Sequence, residues 1–173
     1  MELIAQPLDG VFVVRRVPHR DDRGYFARTY CEREFGQRGL VDRFVQWSVS
    51  FNQARATLRG MHWATGETKL VSCIAGAVHD VVADVRPQSR TRGKWLSYEL
   101  SAASGDALYV PEGVAHGFLT LADEAVVQYG ISAFYEPSAA KGFRWNDPTF
   151  AIEWPQPPRH VSARDLAYED FRW

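Results

Sequence analysis

The sequence predicts an all-β fold, a sandwich or barrel of short strands with a few short helices. Short runs rich in Val, Ile, Phe, Tyr and Trp recur along the whole chain, and these residues fit a pleated, half-buried surface. Turn residues break the runs at close intervals. No long stretch repeats its apolar residues every 3.6 positions, as a packed helix would. Many short strands at regular spacing point to a sandwich or barrel.

In chain order, strands are expected at Gly10–Arg16, Phe44–Phe51, Thr57–Trp63, Thr68–Ala75, Ala77–Val85, Trp95–Leu100, Ala107–Val110, Gly117–Leu121 and Ala125–Ile131. Turns fall at Asp22-Arg23-Gly24, Thr65-Gly66, Ala75-Gly76, Arg86-Pro87, Ser104-Gly105 and Pro111-Glu112-Gly113. Glu32–Gln37 reads as a short helix. Ser162–Asp170 reads as another, with Ser162 as N-cap and Asp165 at the capping-box position. The run Gly10–Arg16 is a candidate edge strand that could pair with a partner.

The 173 residues suit one domain spanning the chain. Ten Phe, seven Tyr and six Trp supply a thick core or a stacking platform for a ring-bearing ligand. A net charge of −1, with both signs interspersed, argues against a nucleic-acid footprint. Two cysteines suit reduced thiols. There is no basic leader with an apolar core, and no apolar run of membrane-spanning length. A soluble, cytoplasmic protein is expected, with no membrane partner.

Five groups of residues could carry chemistry, and each has an ordinary structural role open to it. His62 lies in Leu58-Arg59-Gly60-Met61-His62-Trp63. Strict alternation puts Arg59 and Met61 on one face, and Leu58, Gly60 and His62 on the other. Histidine suits a general base near neutral pH, and Gly60 would let a ligand approach the backbone. The run Val110–Phe118 resembles the second cupin motif, whose histidine, here His116, is a ligand in metal-binding cupins. The first motif supplies His62 but has Ala64 two residues on, so no metal is expected, and His116 is read as a hydrogen-bond donor to a ligand oxygen. Lys69 is a surface lysine, or a cation that stabilises an enolate or a phosphate. Tyr129, Phe134 and Tyr135 are core aromatics, or face a cavity. Asp165 caps a helix, or fixes the tautomer of His62.

Taken together and in order, these segments resemble one family. The blocks are Asp22–Phe26, Phe44–Gln46, Leu58–His62, Lys69–Val71, Asp80–Arg86, Pro111–Phe118, Tyr129–Tyr135, Trp145–Pro148, Ile152–Pro155 and Ser162–Asp165. Across residues 2 to 170 they are similar to the dTDP-4-dehydrorhamnose 3,5-epimerases, which are RmlC-like cupins. The resemblance implies a cupin-type jelly-roll barrel, a homodimer, and neither metal nor organic cofactor. It implies inversion at C3 and/or C5 of a nucleoside-diphosphate 4-keto-6-deoxy-hexose in deoxysugar biosynthesis.

The C–H beside a ketone is acidic. A base on one face, an acid on the other and a cation near the oxygen are what inversion needs. By similarity His62 is the base, Asp165 its support, Lys69 the enolate cation and Tyr129 the acid. Tyr135 stacks on the nucleotide base, and Arg23, Gln46, Arg59 and His116 bind diphosphate, ribose or sugar. Asp80 is placed in the barrel near Lys69.

At several binding positions the chain departs from the family pattern. Arg28 and Lys141 stand where Glu is usual, Ser48 (after Trp47) replaces Asn, Arg164 replaces Lys, and the loop Ala64–Thr68 is short. Reversed charges change what a pocket accepts, so the proton chemistry is read more firmly than the nucleotide. The alternatives are a C3- or C5-mono-epimerase on a CDP- or GDP-linked sugar, and a non-catalytic or metal-dependent cupin.

Overall fold

A computed structural model describes residues 1–173, and its architecture is the all-β one expected. The strands are β1 (Glu2–Ala5), β2 (Phe12–Arg15), β3 (His19–Asp21), β4 (Gly24–Phe26), β5 (Gln46–Asn52), β6 (Thr57–Ala64), β7 (Lys69–Ala75), β8 (Ala77–Asp84), β9 (Trp95–Ser101), β10 (Ala107–Val110), β11 (Val114–Thr120), β12 (Ala125–Ile131), β13 (Ala140–Gly142) and β14 (His160–Val161). The helices are α1 (Glu32–Gly36) and α2 (Ala163–Leu166), with one 3₁₀ turn at Pro137–Ala139. One sheet has the order β1-β2-β10-β7-β12-β5 and the other β13-β6-β11-β8-β9, with β14 added beside β6. Strands β3 and β4 form a separate hairpin.

The nine anticipated strands all form. Those missed are very short (β1, β3, β4, β13 and β14), and too few residues carry their alternation to be read locally. The segment His19–Asp21 is polar and exposed along its whole length. The run Gly10–Arg16 is not an edge: β2 pairs with both β1 and β10. The first sheet instead ends on β1 and β5.

Three apolar clusters hold the layers. Between the sheets lie Val71, Cys73, Val78, Val82, Leu108, Val114, Phe118 and Val127, among others. Alternation then sends Met61, Val81, Ala83 and Ala115 to the outer face of the second sheet, where Phe143, Phe150 and Ile152 from the C-terminal segment cover them. The outer face of the first sheet is covered near Leu3, Val14 and Tyr109 by Phe35 of α1. Phe35 is wholly buried and meets the rings of Tyr30, Phe44 and Tyr109 edge-on. Burying such a ring contributes about 1.5–3 kcal/mol, enough to pin a one-turn helix that could not persist alone.

Strand β6 does not alternate as expected. Its pairing with β11 runs His116 to His62, then Phe118 to Arg59, so β6 spends one extra residue there. Such a bulge re-aims side chains. Arg59 and His62 consequently face the same inner cleft, while Met61 enters the outer core. This crossing requires glycine at position 60: its φ is +132°, and a Cβ there would sit 2.6 Å from the Cα of Gly117.

Candidate active site

Inward-facing positions are apolar over most of the barrel and polar at one mouth. There β6 contributes Arg59 and His62, β11 His116, β12 Tyr129 and β7 Lys69, while Ser162, Arg164 and Asp165 approach from α2. The two sheets thus supply opposite walls: His62 comes from one and Tyr129 from the other.

Asp165 reaches the cleft because β14 runs parallel to β6, pairing His160 with Thr57 and Val161 with Leu58. This sets α2 beside β6. Ser162 caps α2 by accepting the Asp165 N–H, as the sequence suggests. The helix then stops at Leu166, short of the expected Asp170, because the chain turns away so that Phe171 joins the outer aromatic cluster and donates its N–H to Asp147. The Asp165 carboxylate does not cap. One oxygen lies 2.6 Å from His62 Nε2 and the other accepts the Gly60 N–H at 3.3 Å.

Burial alone would raise the Asp165 pKa, but the hydrogen bond and charge of His62, with help from Gly60 and Ser162, hold it below the usual carboxylate value. An ionised carboxylate only accepts hydrogen bonds. His62 Nε2 therefore donates, and in the neutral ring the free lone pair is on Nδ1. The Tyr168 ring, which sequence reading passed over, lies 5.8 Å from the His62 ring and orients it further.

On the opposite wall the Tyr129 hydroxyl faces the cleft. Burial, and then the negative charge of Asp80, push its pKa well above the usual phenol value, with Arg59 opposing. Tyr129 is thus a protonated phenol at any physiological pH. Arg59 is held by Asn52: its Nε donates to Asn52 Oδ1 at 2.8 Å, and Asn52 is locked by donating to the Ser50 and Ala125 carbonyls. The Lys69 ammonium lies 3.0 Å from Glu67 and 3.4 Å from the His62 carbonyl.

A second hollow continues from the first, sharing His62, Lys69 and Arg164, and adds Tyr135, Glu136 and Lys141. Tyr135 is 70% exposed, and Gln46 Oε1 accepts its backbone N–H at 2.9 Å. Its ring is free to stack on a ligand. Ser48 pairs with Tyr129 across the ladder and is exposed. Its neighbour on the same face, Ser50, lines the cleft.

Two expected binding residues lie elsewhere. Arg23 sits on the β3–β4 hairpin, paired with Asp21. Arg28 pairs with Glu34 and lines a hollow with Tyr25, Tyr30, Trp47, Leu70, Ser72 and Gln128. Leu70 and Gln128 neighbour Lys69 and Tyr129 in sequence, so that hollow lies on the opposite face of the sheet from the cleft. Asp80 was expected in the barrel near Lys69, and its hydrogen-bond partner there is His116, at 2.8 Å. Asn52, Ser50, Glu67 and Tyr168 were not identified as site residues from sequence; only their distant partners give them meaning.

Cleft chemistry therefore amounts to an oriented imidazole, a neutral phenol opposite, and the cations Arg59, Lys69 and Arg164 on the same lining. No cluster of three His, Cys, Asp or Glu side chains converges to hold a metal ion. No helix is long and apolar enough to cross a membrane.

The family described as dTDP-4-dehydrorhamnose 3,5-epimerase matches residues 5–172. The dTDP-4-dehydrorhamnose 3,5-epimerase of Methanothermobacter thermautotrophicus is 40% identical over 154 residues, covering 88% of this chain and 83% of that one. The dTDP-4-dehydrorhamnose 3-epimerase of Streptomyces niveus is 36% identical, covering 95% and 81%. The crystal structure of the 3,5-epimerase from Elizabethkingia anophelis superposes with a TM-score of 0.95 at 36% identity, covering 99% of this chain and 96% of that one.

Proposed function

The chain belongs to the dTDP-4-dehydrorhamnose 3,5-epimerase family, and on that premise we propose how its cleft performs the reaction. It is an isomerase that inverts C3 and/or C5 of a 4-keto-6-deoxy-hexose carried on a nucleoside diphosphate. His62 Nδ1 removes the proton next to the ketone. Asp165 fixes the tautomer and balances the imidazolium that forms. The charge passes to the ketone oxygen, where the Lys69 ammonium meets it. Tyr129 delivers a proton from the opposite wall, and the centre inverts.

The observation that carries this reading is the placement of His62, bound at 2.6 Å to a buried carboxylate, and Tyr129 on facing walls of one cleft. A phenol held protonated is an acid and not a competing base.

Arg59, His116 and Arg164 then contact sugar and diphosphate, while Gln46 presents Tyr135 for stacking on the nucleotide base, with Lys141 beside it and Ser48 at the rim. Arg23 and Arg28 are assigned to the diphosphate as well. They do not reach this cleft within one chain, so they would serve the cleft of a second copy. A homodimer is consistent with the bare outer face of edge strand β5, where Trp47, Val49 and Phe51 are each about half exposed or more. The cytoplasm suits the two free thiols, Cys31 and Cys73.

The test is solvent exchange. With a dTDP-4-keto-6-deoxy-hexose in heavy water, deuterium is expected at C3, C5 or both. Uptake at neither carbon, across dTDP, CDP, GDP and UDP sugars, would end the proposal. Uptake at one carbon only would select the mono-epimerase reading, which the similarity to a 3-epimerase keeps in view.

A further inference from the structure

The base and the acid stand on opposite walls of the cleft, and both are partly exposed while it is empty. The His62 side chain is 37% exposed, so a proton it has taken can leave to solvent. The Tyr129 hydroxyl faces inward without a protein hydrogen-bond partner. Once a sugar fills the cleft, the phenolate left by a proton transfer has no direct route to bulk water. Two inversions on one sugar need two protons on that face.

Beneath Tyr129 lies a buried pair, His116 and Asp80, which the proton transfers described so far do not use. Asp80 has no solvent exposure. One of its oxygens is 2.8 Å from His116 Nε2, and the other has no partner at all. The His116 ring in turn meets the Tyr129 ring edge-on, with centroids 6.0 Å apart. A half-partnered buried carboxylate is costly, and an opposite charge on its one partner offsets much of that cost. A proton on His116 would supply that charge, and His116 also lines the cleft beside Tyr129.

We propose that Asp80 and His116 form a proton reserve that re-arms Tyr129 while the sugar is still bound, so that two inversions take place in one binding event. The inference rests on Tyr129 being the acid. As the new C–H bond forms, the Tyr129 O–H bond breaks and a phenolate remains. The His116 Nδ1–H bond then breaks and the Tyr129 O–H bond re-forms, through one cleft water, because no direct hydrogen bond links the rings. His116 is left neutral, with Nε2–H still donated to Asp80, and the second inversion leaves Tyr129 a phenolate again; both recover a proton from water after product leaves. His62 passes each of the two protons it collects to solvent, so two protons leave and two return. Asp80 acts through His116 and is a positioning residue.

The experiment runs the enzyme in heavy water with excess 4-keto sugar nucleotide and analyses the first few per cent of product by mass spectrometry. The wild type is expected to release product already deuterated at both C3 and C5. Asp80→Asn, close to isosteric, should release singly deuterated product, with the doubly-to-singly labelled ratio falling about ten-fold or more, less than the roughly 10²–10⁴-fold of a group that transfers the proton itself. A purely structural defect would slow both labels alike and leave the ratio unchanged. If Asp80→Asn does not fold, His116→Asn should give the same shift. A wild type that releases singly labelled product first, or variants with an unchanged ratio, would overturn the proposal. No deuterium at all in the wild type would instead sink the epimerase reading beneath it.

Discussion

Replacing Asp165 by Asn tests the heart of the site with almost no change in shape. Asp165 has two partners with fixed demands. The Gly60 N–H needs an acceptor, 3.3 Å away, and His62 Nε2 lies 2.6 Å from the other oxygen. An amide has one acceptor and one donor end. With its oxygen turned to Gly60, its NH₂ faces His62 and forces Nε2 to accept. The ring hydrogen then moves to Nδ1, the nitrogen that must take the substrate proton. The variant also loses the charge that stabilises the imidazolium.

A hydrogen bond to a charged group contributes about 1.5–3 kcal/mol, and roughly 1.4 kcal/mol is ten-fold in rate. That alone predicts a loss of about 10–100-fold, and a reversed tautomer extends it toward about 10⁴-fold, the effect of the same change in a catalytic triad. Asp165→Asn is thus expected to lower kcat for deuterium exchange by about 10²–10⁴-fold with little change in KM. Circular dichroism would confirm the fold. A variant within about ten-fold of wild type would show that the tautomer argument is wrong, or that His62 is not the base. The sign with pH also follows. Asp165 has its pKa lowered in the folded chain, so its stabilising contribution is complete above the ordinary carboxylate value and is lost as pH falls through the depressed one. Asp165→Asn should flatten that acid limb in thermal melts.

Tyr129→Phe removes the acid but not the base, so it should impair epimerisation more than wash-out of the substrate C–H; equal losses would assign the acid elsewhere. His62→Ala should abolish exchange at both carbons, and near-normal exchange would mean the base is another group. Gly60→Ala places a Cβ 2.6 Å from Gly117 Cα at a φ of +132°, where overpacking and strain cost about 1–3 kcal/mol each; a Tm unchanged within error would contradict the tight crossing. Phe51→Asp puts a charge on the bare β5 face, 57% exposed at that residue. It should convert a dimer to a monomer by size-exclusion chromatography with light scattering, and an unaltered dimer would move the interface to another face.

Much of this was legible in the linear sequence because it is written in local pattern. Strands β5 to β12 announce themselves by β-branched and aromatic runs between turns, and Ser162 by its capping position. The site roles came from ordered resemblance, since no single residue among His62, Lys69, Tyr129 and Asp165 announces a function. Alternation misled at one strand. It separates Arg59 from His62, yet the extra residue in β6 puts both in the cleft, because a bulge depends on the partner strand and Gly117 lies 57 positions away.

By itself, then, the sequence determined where nine of the strands lie along the chain, most of the core alternation and the residue types that proton chemistry needs. Only the tertiary structure decided who partners whom. Asp165 serves His62 from 103 positions away, Asp80 serves His116 from 36, and Arg28 lies behind the sheet. Secondary structure follows from neighbours along the chain, whereas a proton affinity or a tautomer follows from neighbours in space. His62 is a plain strand histidine until the barrel closes and a buried carboxylate accepts a hydrogen bond from its Nε2–H.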